Sequence, residues 1–115
     1  MKDKHLESRK RLEHILKAIE DIENFVEKES LENFCQNSIL NNAVLFNFTI
    51  IGEALIHVET EKLNKYEYPW YKVRSFRNMI AHEYFNIKLS AVWEIIQRDL
   101  PELKITIQTI LEKEF

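Results

Sequence analysis

The sequence predicts an all-α, up-and-down bundle of about four long helices plus one or two short ones, in a single domain covering residues 1–115. Three observations carry this. Long segments repeat apolar residues at three- and four-residue steps, the period of a helix that buries one face. One glycine and two prolines are too few turn formers for an all-β chain, which needs a turn every several residues. At 115 residues, 45% of them hydrophobic and seven of them Phe, the chain has material for one core and no room for two. A chain this short buries a limited share of its surface, so oligomerisation is a natural supplement.

The first helix is expected from about Asp3 to Lys28. Leu12, Ile15, Leu16, Ile19, Ile22 and Val26 form its apolar stripe, and Glu13/Lys17 is an i,i+4 pair on the charged face. Ser30 can cap a short second helix, Leu31 to about Gln36. A third helix starts near Asn37-Ser38 and runs to about Glu59, with Leu40, Ala43, Val44, Ile50, Ile51, Ala54, Leu55 and Val58 apolar. Phe46 and Phe48 flank that stripe, and a helix with two apolar faces is either central to a bundle or shared with a second subunit. Gly52 within it implies close approach of another backbone.

Residues 61–68 read as a surface connection. Pro69 can open a fourth helix, which carries Trp70, Val73, Phe76, Arg77 and Ile80 and delivers His82 at or just past its end. Phe85-Asn86-Ile87 reads as a turn. A fifth helix spans about Leu89 to Arg98, and Asp99 before Leu100-Pro101 reads as a cap and restart, giving a last helix from Leu100 to about Glu114. No internal repeat or linker interrupts this order.

Net charge is −3 and the pI about 5.8, so the chain lacks the overall basic footprint of a generic nucleic-acid binder. Any RNA-binding surface must be local. The single Cys35 excludes an internal disulfide and a multi-cysteine metal knuckle. The N-terminus, Met1-Lys2-Asp3-Lys4-His5-Leu6-Glu7, has no apolar run after its charges, so no signal peptide is expected. No apolar stretch approaches membrane-spanning length on this reading, and the expected location is the cytoplasm.

The segment Arg77-Asn78-Met79-Ile80-Ala81-His82-Glu83-Tyr84 has the spacing Arg-x4-His-x-Tyr. Arginine is a permanent cation whose donor fork fits phosphate oxygens. Histidine can take and give a proton near neutral pH. Together they can cleave an RNA phosphodiester without a metal. By spacing alone, a helix-end Arg, Asn, His and Tyr more often cap carbonyls and hold a turn. On one continuous helix, Arg77 and His82 stand about 140° apart and do not converge. They meet if the helix ends around Ala81, or if a second copy completes the set.

Other groups weigh less. Glu53, His57 and Glu61 fall at i, i+4 and i+8, a spacing that can ligate a metal, but a solvated helix face is the better reading and no metal is implied. Lys72 and Arg74 are evenly balanced between phosphate contacts and solvated charge. Trp70, Tyr71 and Trp93 can stack on bases, with core packing favoured for the two tryptophans. His5 and His14 read as surface residues of the first helix.

More words of the chain follow one pattern. Ile51-Gly52-Glu53-Ala54, Pro69-Trp70, Arg77 through Phe85, Val92-Trp93 and Asp99-Leu100-Pro101 occur in the order and spacing of the HepT-like proteins. The chain resembles these minimal HEPN-domain ribonuclease toxins of type VII toxin–antitoxin pairs from about Leu12 to Leu111. The resemblance implies a HEPN-like bundle and a homodimer whose interface holds the motif. It implies metal-free RNA cleavage with no cofactor, Arg77 and His82 as the catalytic pair, and Asn78 orienting a phosphate or the histidine. Glu53 becomes a partner of Arg77 or His82. Tyr84 occupies the position to which a cognate nucleotidyltransferase antitoxin attaches AMP. Two rivals remain: a non-catalytic nucleotide- or substrate-binding subunit of a small nucleotidyltransferase, and a plain helical dimerisation module.

Overall fold

The computed structural model describes residues 3–115; Met1 and Lys2, which open the charged N-terminus, lie outside the described residues. Six helices follow in order: α1 (Lys4–Val26), α2 (Leu31–Gln36), α3 (Ser38–Ile56), α4 (Thr60–Leu63), α5 (Trp70–Glu83) and α6 (Leu89–Glu114). A 3₁₀ turn at Tyr84–Asn86 joins α5 to α6, and no strand occurs among the described residues. Four helices are long and two are short.

Side-chain caps set three of the starts. Asp3 accepts from the backbone N–H groups of His5 and Leu6, Ser30 from that of Asn33, and Asn37 from that of Leu40. The buried stripe of α1 is Leu12, Ile15, Ala18, Ile19, Ile22 and Val26. It packs on α3 and α6, while α5 lies against another side of α3. One core results, and Phe34 of α2 is fully buried in the same cluster as Val44 of α3 and Val92 and Ile96 of α6. The buried amide of Asn41 donates to the Phe34 carbonyl at 3.1 Å, which fixes the α2–α3 corner.

Three expectations need correction. The third helix stops at Ile56, short of Glu59, because its exit is tied to α1: the Glu59 N–H donates to Ser8 Oγ at 3.0 Å, and the hydroxyl donates back to Glu59 Oε1 at 3.3 Å. The connection at 61–68 includes α4, whose Leu63 is buried and accepts from Trp70 Nε1 at 3.1 Å. The last two helices are one, since α6 runs through Pro101 without a restart. Proline removes one N–H from the ladder, a cost of about 3 kcal/mol in a helix interior. Ile96, Leu100, Leu103, Ile107 and Ile110 are all buried, on both sides of the proline. At about 1.5–3 kcal/mol for each buried side chain, an unbroken stripe outweighs the missing bond.

The membrane reading also changes. The 19 residues of α3 have mean hydropathy 1.5, long and apolar enough to cross a bilayer by length and composition. Half of that stretch is buried inside the bundle, and Asn41 and Asn47 lie within it. Its apolarity is therefore explained by its central place between α1 and α5.

Candidate functional site

The site is built where α5 crosses α3. Helix α5 turns Trp70, Val73, Phe76, Arg77 and Ile80 inward, and Phe76 meets Phe48 of α3 edge-on at 5.0 Å. Tyr71, Arg74, Ser75, Asn78, Met79 and His82 are exposed on its outer face. Among the described residues α5 packs chiefly on α3, on the other side of the helix.

Arg77 is the one charged residue on the inward side. Its Nη2 donates to Glu53 Oε2 at 2.7 Å, and its Nη1 donates to Asn78 Oδ1 at 3.1 Å. Its Nε is buried with no acceptor. A guanidinium carries five N–H bonds. Two are engaged and one is buried, which leaves one on each Nη to meet an anion. The side chain is 29% exposed, so the head reaches the surface while the stem lies on α3. Glu53 thus engages Arg77. Asn78 turns to the arginine in this state, where either a phosphate or the histidine was expected.

His82 lies in the last turn of α5, fully on the outer face. The helix continues to Glu83, so an end around Ala81, one of the two ways the pair could meet, does not occur. Arg77 and His82 therefore remain about 140° apart around one axis. Asn78 and His82 share a face at i,i+4. No hydrogen bond or ion pair among the described residues uses the His82 ring. Tyr84 and Phe85 follow in the 3₁₀ turn, 72% and 73% exposed, with their rings edge-on at 5.7 Å.

The remaining candidates separate. Arg74 shares the outer face with Asn78, one turn before it. Lys72 lies on the opposite flank of α5, about 140° from Arg77. It borders a cavity of about 220 Å³ between α5 and α6, with Tyr68, Asp99 and Glu102. Burial pushes the Tyr68 hydroxyl up to about 12, with Asp99 and Glu102 adding to it. Lys72 is thus removed from the Arg77 site. Glu53, His57 and Glu61 do not share a helix, because α3 ends at Ile56 and Glu61 belongs to α4. No metal-holding group of His, Cys, Asp and Glu occurs among the described residues. Trp70 is buried, and Trp93 packs on Phe34 at 5.4 Å. Tyr71, His5 and His14 are exposed.

The family model of ribonuclease HepT-like proteins matches residues 15–110. The chain belongs to the ribonuclease HepT-like family. A Caldanaerobacter subterraneus protein named "Putative RNase" is 35% identical over 104 residues, covering 90% of this chain and 93% of its own length. A Thermococcus cleftensis protein named "Probable ribonuclease HepT" is 33% identical over 94 residues, covering 81% and 86%. A Methanocaldococcus jannaschii protein named "Gamma-glutamylcyclotransferase and putative RNase" is 34% identical over 103 residues. The match takes in 89% of this chain and 46% of that relative, so the chain spans under half of its length. No solved structure matches the chain at a significant level. Membership makes this a ribonuclease-family bundle, with Arg77 and His82 inside the matched region.

Sequence reasoning expected a close backbone approach at Gly52 but missed that Arg77 is the residue it makes room for, and it missed the outward flank of Lys72. A helical wheel drawn from Arg77 would have found the second. The first needed the depth at which α5 crosses α3.

Proposed function

We propose that this HepT-like protein is a metal-independent endoribonuclease toxin of a type VII pair, acting in the cytoplasm as a homodimer. Arg77 holds the scissile phosphate and His82 moves protons between the attacking 2′-hydroxyl and the leaving 5′-oxygen. The observation that carries this is the continuous α5. It aims Arg77 toward Glu53 and His82 away from it, which favours a site completed by a second copy. The α5 outer face and the exposed Ile39 and Phe46 of α3 supply a surface for that copy.

The step needs no added reagent. The 2′-oxygen attacks phosphorus as its proton leaves to a base, and the P–O5′ bond breaks as the 5′-oxygen is protonated. Products carry a 2′,3′-cyclic phosphate and a 5′-hydroxyl. Cleavage of RNA should therefore persist unchanged in excess EDTA and yield those ends. A requirement for added Mg²⁺, or 5′-phosphate products, would rule the mechanism out.

Regulation follows from Tyr84. Its phenol stands in solvent two residues beyond His82, open to a modifying enzyme. A nucleotidyltransferase antitoxin would attach AMP there, forming a bond from the phenol oxygen to the α-phosphorus and releasing pyrophosphate from ATP. The added phosphodiester anion would compete with RNA phosphate for Arg77. Co-expression with the partner should add AMP mass at Tyr84 and silence cleavage, and Tyr84→Phe should escape both. AMP mapped to another residue, or full neutralisation of an active Tyr84→Phe variant, would remove the tyrosine from this role.

A further inference from the structure

Gly52 is the only glycine in the chain and lies buried within α3. Its φ is not positive, so no turn demands it. A glycine inside a helix is disfavoured relative to alanine. What its missing side chain provides is room. A Cβ at residue 52 would stand 2.3 Å from Arg77 Cβ and 2.6 Å from Arg77 Cγ, with the Val73 carbonyl oxygen at 3.6 Å. Carbon atoms in good contact stay about 3.5–4.0 Å apart. The Arg77 Cβ is fixed to the α5 backbone and cannot rotate out of the way. A side chain at residue 52 would have to push α5 itself outward.

We infer that Gly52 is a positioning residue for the reaction, acting through Arg77. The inference rests on the reading of Arg77 as the phosphate-binding cation. Gly52 sets the depth at which the arginine stem lies on α3. Glu53, the next residue, then takes Nη2 at 2.7 Å, and Asn78 takes Nη1 at 3.1 Å. Stem and head are pinned before RNA arrives, so little of the side chain's rotamer freedom is left to be lost on binding. A cation already placed where charge develops on the phosphoryl oxygens needs no reorganisation as the reaction proceeds. The adjacent Gly52 and Glu53 thus form one seat, the glycine by absence and the glutamate by charge.

The test is Gly52→Ala in the full-length protein, with rates expressed per folded protein well below its melting temperature. A misplacement of about 1 Å can cost on the order of 10²-fold, so kcat should fall by about that factor. KM should rise as well, because the same displacement loosens the hold of Arg77 on the RNA phosphate. A purely structural glycine predicts the lowered melting temperature alone, with wild-type kcat per folded molecule. The second variant guards against misfolding. Arg77→Gly removes both atoms that the new Cβ would meet. In that background Gly52→Ala should no longer lower the melting temperature. Millimolar guanidinium should restore cleavage to Arg77→Gly, and to the same extent in the Gly52→Ala/Arg77→Gly double variant, because a free cation needs no seat. Wild-type kcat in Gly52→Ala, or rescue that fails only in the double variant, overturns the inference while leaving the role of Arg77 standing. Wild-type cleavage by Arg77→Ala overturns both.

Discussion

Replacing His82 by alanine is expected to lower RNA cleavage by about 10²–10⁴-fold, the usual contribution of a general acid–base group. The fold should be unaffected. His82 is exposed in the last turn of α5, and no hydrogen bond or ion pair among the described residues uses its ring. Its structural contribution is confined to a favourable charge at a helix C-terminus, about 0.3–1 kcal/mol when protonated. The large effect on rate and the small one on stability separate a catalytic histidine from a capping one. The measurement is cleavage of a defined RNA by wild type and variant, with circular dichroism and thermal melts on both. The variant should keep its RNA affinity, because Arg77 and its partners Glu53 and Asn78 are untouched. A binding subunit that holds a nucleotide through Arg77 would give no cleavage in either protein. Cleavage by the variant at the wild-type rate would remove His82 from the mechanism.

What was legible in the sequence was whatever depends on local pattern. The α1 stripe, the cap at Ser30, the start of α3 near Asn37-Ser38 and the two apolar sides of α3 follow from periodicity and residue chemistry, and each is present. The errors arose where a local rule competes with tertiary burial. Asp99-Leu100-Pro101 has the signature of a helix end. Yet Leu100 and Leu103 lie in the core on either side of Pro101, and their burial keeps α6 whole. Leu63 looked like part of a polar connection, but its burial under Trp70 closes a short helix. At the site, the sequence named the residues without their directions. Glu53 was associated with the Arg/His pair from the Ile-Gly-Glu-Ala word. That it reaches Arg77, and that the adjacent Gly52 makes room for the same side chain, depends on the crossing of α3 and α5. Spacing within one segment carries no information on that crossing.

Phe46→Asp is expected to convert a dimer into monomers and to abolish cleavage without unfolding the chain. Phe46 is 64% exposed and Ile39 is 83% exposed, so neither holds the monomer core. Seven residues separate Ile39 from Phe46, and seven more reach Glu53. A seven-residue step returns within about 20° of the same side of a helix. The apolar stripe therefore ends at the glutamate that grips Arg77. A second copy seated on this stripe would stand next to Arg77 and could present its own His82 there. In a two-fold interface each residue occurs twice. Losing the burial of two Phe side chains, at about 1.5–3 kcal/mol each, costs roughly 3–6 kcal/mol. At 1.4 kcal/mol per decade this weakens the dimer by roughly 10²–10⁴-fold, before any cost of burying the aspartates. Light scattering at micromolar concentration should report the wild type as a dimer and Phe46→Asp as a folded monomer. Mixing the inactive Arg77→Ala and His82→Ala proteins should then restore part of the cleavage, because a mixed dimer joins an intact Arg77 from one copy to an intact His82 from the other. The same mixture made with Phe46→Asp in both partners should stay inactive. A wild-type monomer, or an active Phe46→Asp monomer, would place the whole reaction within one chain and leave the 140° between Arg77 and His82 to be closed by RNA alone.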